Sequence, residues 1–224
     1  PTDKVRTGPG IAERNVTSHV DGTVRAFVDA CAAKTPTPGG GAASALFAAL
    51  GAALGAMATR FTAGKKGFEA HAAAMESAAV FFDDLRGKLL PIVDEDCRAY
   101  DVVTAAYGLP KDTDDAKAAR TAAIQSGLAL AMDVPLRGAR LCRDGVARIA
   151  ELAPHLNKNL ISDAGVCALG LAAAFEGFAM NVRINAAGVK DEVTRGAALT
   201  ELAGLRQSIE AARACALAAV EATF

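Results

Sequence analysis

The run Asp94-Glu-Asp96-Cys-Arg-Ala-Tyr-Asp101 holds the carboxylates best placed for chemistry. On a helix, Asp94 has Arg98 four residues on, the spacing of an ordinary surface ion pair. Asp96 differs. Its helical neighbours are Ile92, Val93, Ala99, Tyr100 and Val103, which put it on an apolar stripe. A carboxylate there is costly unless it is paired or used. Desolvation raises its pKa and makes it a candidate general acid or base. A rim carboxylate hydrogen-bonded to the next helix fits the same pattern, and periodicity does not choose between the two.

Pro38-Gly39-Gly40-Gly41 sets bare backbone amides just before a helix start, a geometry that holds an anion or lets a ligand approach closely. Glycines that simply let helices pack would look the same. Lys65, Lys66 and Lys111 fall in turns, where a lysine is ordinarily just solvated. Asn181 and Asn185 are four apart on a nearly uncharged helix, so they either bridge helices or address a polar ligand. Ser162-Asp163 reads first as a helix cap and second as a site. Five cysteines, none in a C-x-x-C pair, and three histidines lack the spacing of a metal centre, so no metal is expected. The cysteines read as small buried hydrophobes of a reducing compartment. No P-loop, G-x-G-x-x-G or defensible Ser–His–Asp spacing is present.

The elements that must position these residues are all helices. Expected helices cover about 22–33, 42–62, 68–89, 91–107, 114–152, 163–186 and 191–222, with Pro91 opening or kinking the fourth and Pro135 kinking the fifth. The first carries Val24, Phe27, Val28 and Cys31 on one face. Gly64-Lys-Lys-Gly67 breaks the chain after the second, in which Leu46, Leu50 and Leu54 form one heavier stripe. Sustained period-two alternation is absent. The fold class is therefore all-α: a single-domain bundle of about seven helices spanning residues 22–224, with residues 1–21 as a flexible leader.

The 224 residues are 52% hydrophobic and 22% charged, which excludes disorder as a general state. A net charge of -1 and an aromatic content of 5% without tryptophan argue against a nucleic-acid partner. Residues 35–59 are uncharged and long enough to span a bilayer, but their alanine and glycine fit a buried helix, so no membrane partner is expected. Two long helices too apolar to face water point to burial between subunits, most simply in a two-fold homodimer.

Eight fragments in order carry a further pattern. They are Thr35-Pro-Thr-Pro-Gly-Gly-Gly-Ala42, Gly64-Lys-Lys-Gly-Phe68, Asp96-Cys-Arg-Ala-Tyr100 and Gly108-Leu-Pro-Lys-Asp-Thr113, then Lys117-Ala-Ala-Arg120, Val134-Pro-Leu136, Asn159-Leu-Ile-Ser-Asp163 and Asn181-Val-Arg-Ile-Asn185. From about Val24 to the C-terminus the chain resembles the formiminotransferase-cyclodeaminase C-terminal domain family, which includes stand-alone bacterial methenyltetrahydrofolate cyclohydrolases. The resemblance implies an all-α homodimer acting on folate one-carbon units in the cytoplasm. One branch of the family releases ammonia from 5-formiminotetrahydrofolate; the other hydrolyses 5,10-methenyltetrahydrofolate to 10-formyltetrahydrofolate.

The acid matching Asp96 is that family's usual catalytic candidate. Ala42 departs from the serine often found after the three glycines, so a hydroxyl contact is missing there. The resemblance further implies that Lys65, Lys66 and Lys111 meet folate glutamate carboxylates. Pro38 to Gly41 with Asn181 and Asn185 would line the pterin, and Ser162 and Asp163 would contribute to the substrate site. No tightly bound cofactor is expected, the tetrahydrofolate derivative being substrate. Hydrolysis comes first because the chain begins some 20 residues before the matching region, with no formiminotransferase domain attached. Cyclodeamination is the alternative, and a non-catalytic folate-binding or assembly module stands as the third reading.

Overall fold

The computed structural model describes residues 18–224. Six α-helices follow one another: α1 (Val24–Ala32), α2 (Gly40–Arg60), α3 (Ala72–Tyr107), α4 (Asp114–Leu152), α5 (Ile161–Ala186) and α6 (Glu192–Glu221). Short 3₁₀ turns at Glu69–His71, Ala153–His155 and Lys158–Leu160 join some of them, and the described residues contain no strand. The leader expected over residues 1–21 lies outside the described residues as far as residue 17.

Helix starts follow capping chemistry. Thr23 accepts from the Ala26 amide at 3.1 Å, Thr113 from Ala116 at 3.1 Å, and Asp191 from Val193 at 3.0 Å. Asp114 and Asp115 add negative charge to the first turn of α4. Between α2 and α3, Gly64 and Gly67 adopt φ of 71° and 91°, which a side chain would resist, so the expected break falls there.

Six helices replace the expected seven because α3 runs unbroken through Pro91. Both Pro91 and Gly87, whose carbonyl loses its amide partner, lie on the exposed face, where that oxygen is open to solvent. Pro135 likewise sits inside one helix, α4.

Helices α2, α3, α4 and α5 close a four-membered ring in which each packs on the next, and α6 lies against α4 and α5. Phe82, Phe175, Phe178, Met75 and Leu89 fill its centre. The small face of α2 turns inward: Ala45, Ala48, Ala52 and Ala58 are wholly buried, whereas Leu50 stays 57% exposed. Leu46 and Leu54, the other members of the heavier stripe, are only partly buried against the core. The reason is backbone proximity: a methyl on Gly55 would sit 2.8 Å from the Phe82 ring, and one on Gly51 3.2 Å from Leu171. Helices α2 and α5 run antiparallel, since Gly40 neighbours Asn181 and Gly51 neighbours Leu171.

Helix α1 is loosely attached. Only Phe27 of its expected apolar face is buried, and Val24 and Val28 are exposed. Two helices, Gly40–Arg60 and the segment Lys158–Ala186, are long and apolar enough to cross a membrane by length and composition, although 61% and 56% of their most apolar windows are buried in the fold.

Candidate active site

The N-terminus of α2 meets the last third of α3 and the C-terminal half of α5 around a cavity of about 290 Å³. Asp96, Gly39, Gly40, Asn181 and Asn185 line it together with Pro36, Thr37, Ala99, Tyr100, Val103, Ala131 and Ile184. Residues far apart in sequence thus converge on the carboxylate that lay on the apolar stripe.

Asp96 Oδ2 accepts from the Ala42 amide at 3.0 Å, in the first turn of α2. A free helix amide is a natural partner for a carboxylate. The two influences on its pKa oppose each other. Burial, the larger, pushes the carboxyl above the ordinary range, and the Ala42 N–H pulls it down. This approach to α2 requires glycine at position 41, because a methyl there would overlap both carboxylate oxygens. Gly41 and Pro38 are themselves buried behind the cavity wall, and Pro36 and Thr37 provide the surface instead.

Asn181 donates to the Gly177 carbonyl at 2.9 Å. Asn185 donates twice, to Ala131 at 2.8 Å and to Asn181 at 3.0 Å, which ties α5 to α4. Asn185 therefore bridges helices and also lines the cavity.

The remaining expected site residues lie elsewhere in the chain. Lys65 and Lys66 follow the C-terminus of α2, about 30 Å from the cavity by the rise of 21 helical residues. There Lys65 Nζ donates to Asn157 Oδ1 at 2.6 Å and stands 5.6 Å from the Phe68 ring centre. Asn157 in turn caps the turn before α5, accepting from the Asn159 amide at 3.1 Å. Ser162 and Asp163 occupy the first turn of α5 at this same end. Ser162 is not the cap, because α5 begins a residue earlier and Leu160 holds the cap position. Lys111 is exposed in the loop between α3 and α4, outside the cavity wall. Two groups of motifs therefore sit at opposite ends of the α2–α5 pair.

The expected Asp94–Arg98 surface pair does not form. Asp94 is buried and accepts from Ser18 Oγ at 2.6 Å and from the His19 amide at 2.9 Å, tying the segment before α1 to α3. Among the cysteines, Cys97, Cys142 and Cys167 are buried, whereas Cys31 and Cys215 are exposed; all five are free thiols. Burial pushes Cys97, beside Asp96 in sequence, up to about 12, so it stays a thiol at neutral pH. Among the described residues no three His, Cys, Asp or Glu side chains gather as a metal site would require.

Sequence reasoning missed several wall residues. Ala99, Tyr100 and Val103 are three, four and seven residues past Asp96, and Ile184 lies three past Asn181, so helical spacing carried the signal for those four. Ala131 gave none, since only the packing of α4 on α5 brings it there.

Comparison with known proteins places the chain among folate enzymes by sequence and fold. A methenyltetrahydrofolate cyclohydrolase of Methylorubrum extorquens is 42% identical over 183 residues, covering 82% of this chain and 88% of that protein. The formimidoyltransferase-cyclodeaminase of Rattus norvegicus is 34% identical over 205 residues, 92% of this chain but 38% of the longer protein. The crystal structure of a formiminotetrahydrofolate cyclodeaminase from Thermotoga maritima superposes with a TM-score of 0.82 at 31% identity, covering 90% of this chain and 97% of that one. The formiminotransferase-cyclodeaminase profile matches residues 23–204, the stretch that builds α2 to α5 and the Asp96 cavity, and to that family the chain belongs.

Proposed function

We propose that the protein is a methenyltetrahydrofolate cyclohydrolase, hydrolysing 5,10-methenyltetrahydrofolate to 10-formyltetrahydrofolate with Asp96 as general acid and base. The observation that carries this reading is a partly desolvated carboxylate, held by the Ala42 amide and lining a cavity of about 290 Å³. Similarity to the Methylorubrum cyclohydrolase over most of both chains supports it. The methenyl bridge is an amidinium-like cation and already electrophilic. Asp96 stabilises that charge and takes a proton from the attacking water. It then returns a proton to the departing ring nitrogen. Gly39, Gly40 and Asn181 flank the pterin, backed by Pro38 and Gly41. Loss of methenyltetrahydrofolate absorbance above its spontaneous rate, with Asp96→Asn alongside, tests the reading.

Cyclodeamination is the second reading, favoured by the likeness to the Thermotoga enzyme. Ammonia release from 5-formiminotetrahydrofolate, with no turnover of the methenyl compound, would select it.

The working unit in this proposal is a homodimer built on the outer face of α2 and α5. Phe47 and Leu50 on α2, with Leu169 and Met180 on α5, are 45–65% exposed and apolar. A two-fold axis across the middle of that face exchanges the two ends of the pair. The partner's Lys65, Lys66, Ser162 and Asp163 then approach the Asp96 cavity, where ammonium groups suit folate glutamate carboxylates. Lys111 would meet the outer glutamates. Free thiols suit a reducing compartment, and the reading is completed as a cytoplasmic enzyme with a small-molecule substrate, working without nucleic acid, membrane, metal or tightly bound cofactor.

A further inference from the structure

Asn185 offers the cavity one kind of group only. Its Nδ2 carries two hydrogens, and both are taken by backbone carbonyls, those of Ala131 at 2.8 Å and Asn181 at 3.0 Å. Two carbonyl partners fix the amide orientation, because an oxygen in place of Nδ2 would face two acceptors. What remains for the cavity is Oδ1, an acceptor. Asp96 is constrained in the same sense: Oδ2 holds the Ala42 amide, and Oδ1 is left. The walls of one cavity of about 290 Å³ thus include Asp96 and Asn185, each left with one oxygen that holds no hydrogen-bond partner within the protein.

An attacking water needs this arrangement. It must present a lone pair to carbon, which leaves both hydrogens to be accepted by something else. We propose that Asn185 is a catalytic residue, its Oδ1 accepting one hydrogen of the nucleophilic water while Asp96 Oδ1 accepts the other. The inference rests on the hydrolytic reading above. The water oxygen forms a C–O bond to the methenyl carbon, the C=N π pair moves to nitrogen, and Asp96 takes one water proton. The remaining O–H stays on Asn185 Oδ1 through the tetrahedral stage. As the carbonyl forms, that hydroxyl proton leaves to solvent. The C–N5 bond breaks with its pair on N5, and Asp96 returns its proton there. The balance is one cation and one water giving 10-formyltetrahydrofolate and one released proton.

Two substitutions separate this role from a structural one. Asn185→Ser keeps a donor to the Asn181 carbonyl but withdraws the acceptor from the cavity. It should fold, bind tetrahydrofolate within about threefold of wild type, and lose kcat by about 10²-fold. A folded Ser variant with kcat within about threefold, or one whose loss lies in KM and tetrahydrofolate affinity, overturns the assignment. Should the Ser variant not fold, Asn185→Ala decides: a kcat loss of about 10²-fold with tetrahydrofolate affinity within about threefold supports the role, and kcat within about threefold, or a loss confined to affinity, overturns it. Wild-type protein without turnover of 5,10-methenyltetrahydrofolate would sink the hydrolytic reading instead, a separate result.

Discussion

Gly40 and Gly41 are adjacent in sequence and in helix α2, yet substitution by alanine should have opposite consequences. A methyl on Gly40 would approach nothing closer than Asn181 Nδ2 at 3.4 Å, an ordinary contact. A methyl on Gly41 would sit 2.6 Å from Asp96 Oδ2 and closer still to Oδ1, so the carboxylate must swing away. Doing so breaks its bond to the Ala42 amide. A hydrogen bond to a charged group contributes about 1.5–3 kcal/mol, against about 1 kcal/mol regained by replacing glycine with alanine in a helix. The net is a loss of about 0.5–2 kcal/mol for Gly41→Ala, or a few degrees in Tm for a chain of this size. Displacement of Asp96 should also remove most of the acid–base contribution, about 10²–10⁴ in kcat. Gly40→Ala should gain up to the same helix contribution of about 1 kcal/mol, so that Tm holds or rises, and should keep kcat within about threefold, any cost of the added methyl beside the pterin falling on KM. Thermal melts and methenyltetrahydrofolate turnover on the two purified variants read both effects. Equal damage from both, or full turnover by Gly41→Ala, would refute the argument that Gly41 exists to admit Asp96.

Asp96→Asn should drop kcat by about 10²–10⁴ while raising Tm at neutral pH, because the amide still accepts from Ala42 but carries no buried charge. The sign follows from the raised carboxyl: the native state holds its proton more tightly than the unfolded chain, so stability is greatest below the unfolded value of about 4 and falls as pH rises through the folded one. The Tm advantage of Asp96→Asn should therefore widen as pH climbs from about 4, and a constant or shrinking gap counts against a desolvated Asp96. In the cyclohydrolase reading the acid limb of the wild-type kcat profile should lie above the ordinary carboxylate range, measured by initial rates across pH. Asp94→Ala removes both bonds to Ser18 and His19 and should cost about 1–3 kcal/mol, with faster hydrogen exchange at His19; unchanged exchange would contradict the tie. Leu50→Glu places a charge at the centre of the exposed α2–α5 face and should yield monomer by light scattering, whereas an unchanged dimer would locate the interface elsewhere.

Much of the helical order was legible locally. Caps at Thr23, Thr113 and Asp191, and the glycine break at 64–67, act within a few residues, so the sequence carries them directly. The same holds for Asp96, whose helical neighbours alone showed a carboxylate on an apolar face. Pro91 was misread as a boundary because a proline stops a helix only where its lost partner cannot reach water, and exposure of Gly87 is a tertiary fact. Which face of α2 turns inward was not legible locally for a related reason: it depends on how closely α3 and α5 approach, and here they come near enough to demand alanine and glycine. Asp94 and Asp96, two residues apart, show the division most sharply. Composition and spacing made one a surface pair and the other a candidate acid. Only the packed chain, by bringing Ser18 to one and the first turn of α2 to the other, made both hydrogen-bond acceptors, Asp94 buried and Asp96 half-buried, with different tasks. Sequence determined which residue types stand on which face; long-range contacts decided what each face meets, because burial and hydrogen-bond partners belong to the assembled fold.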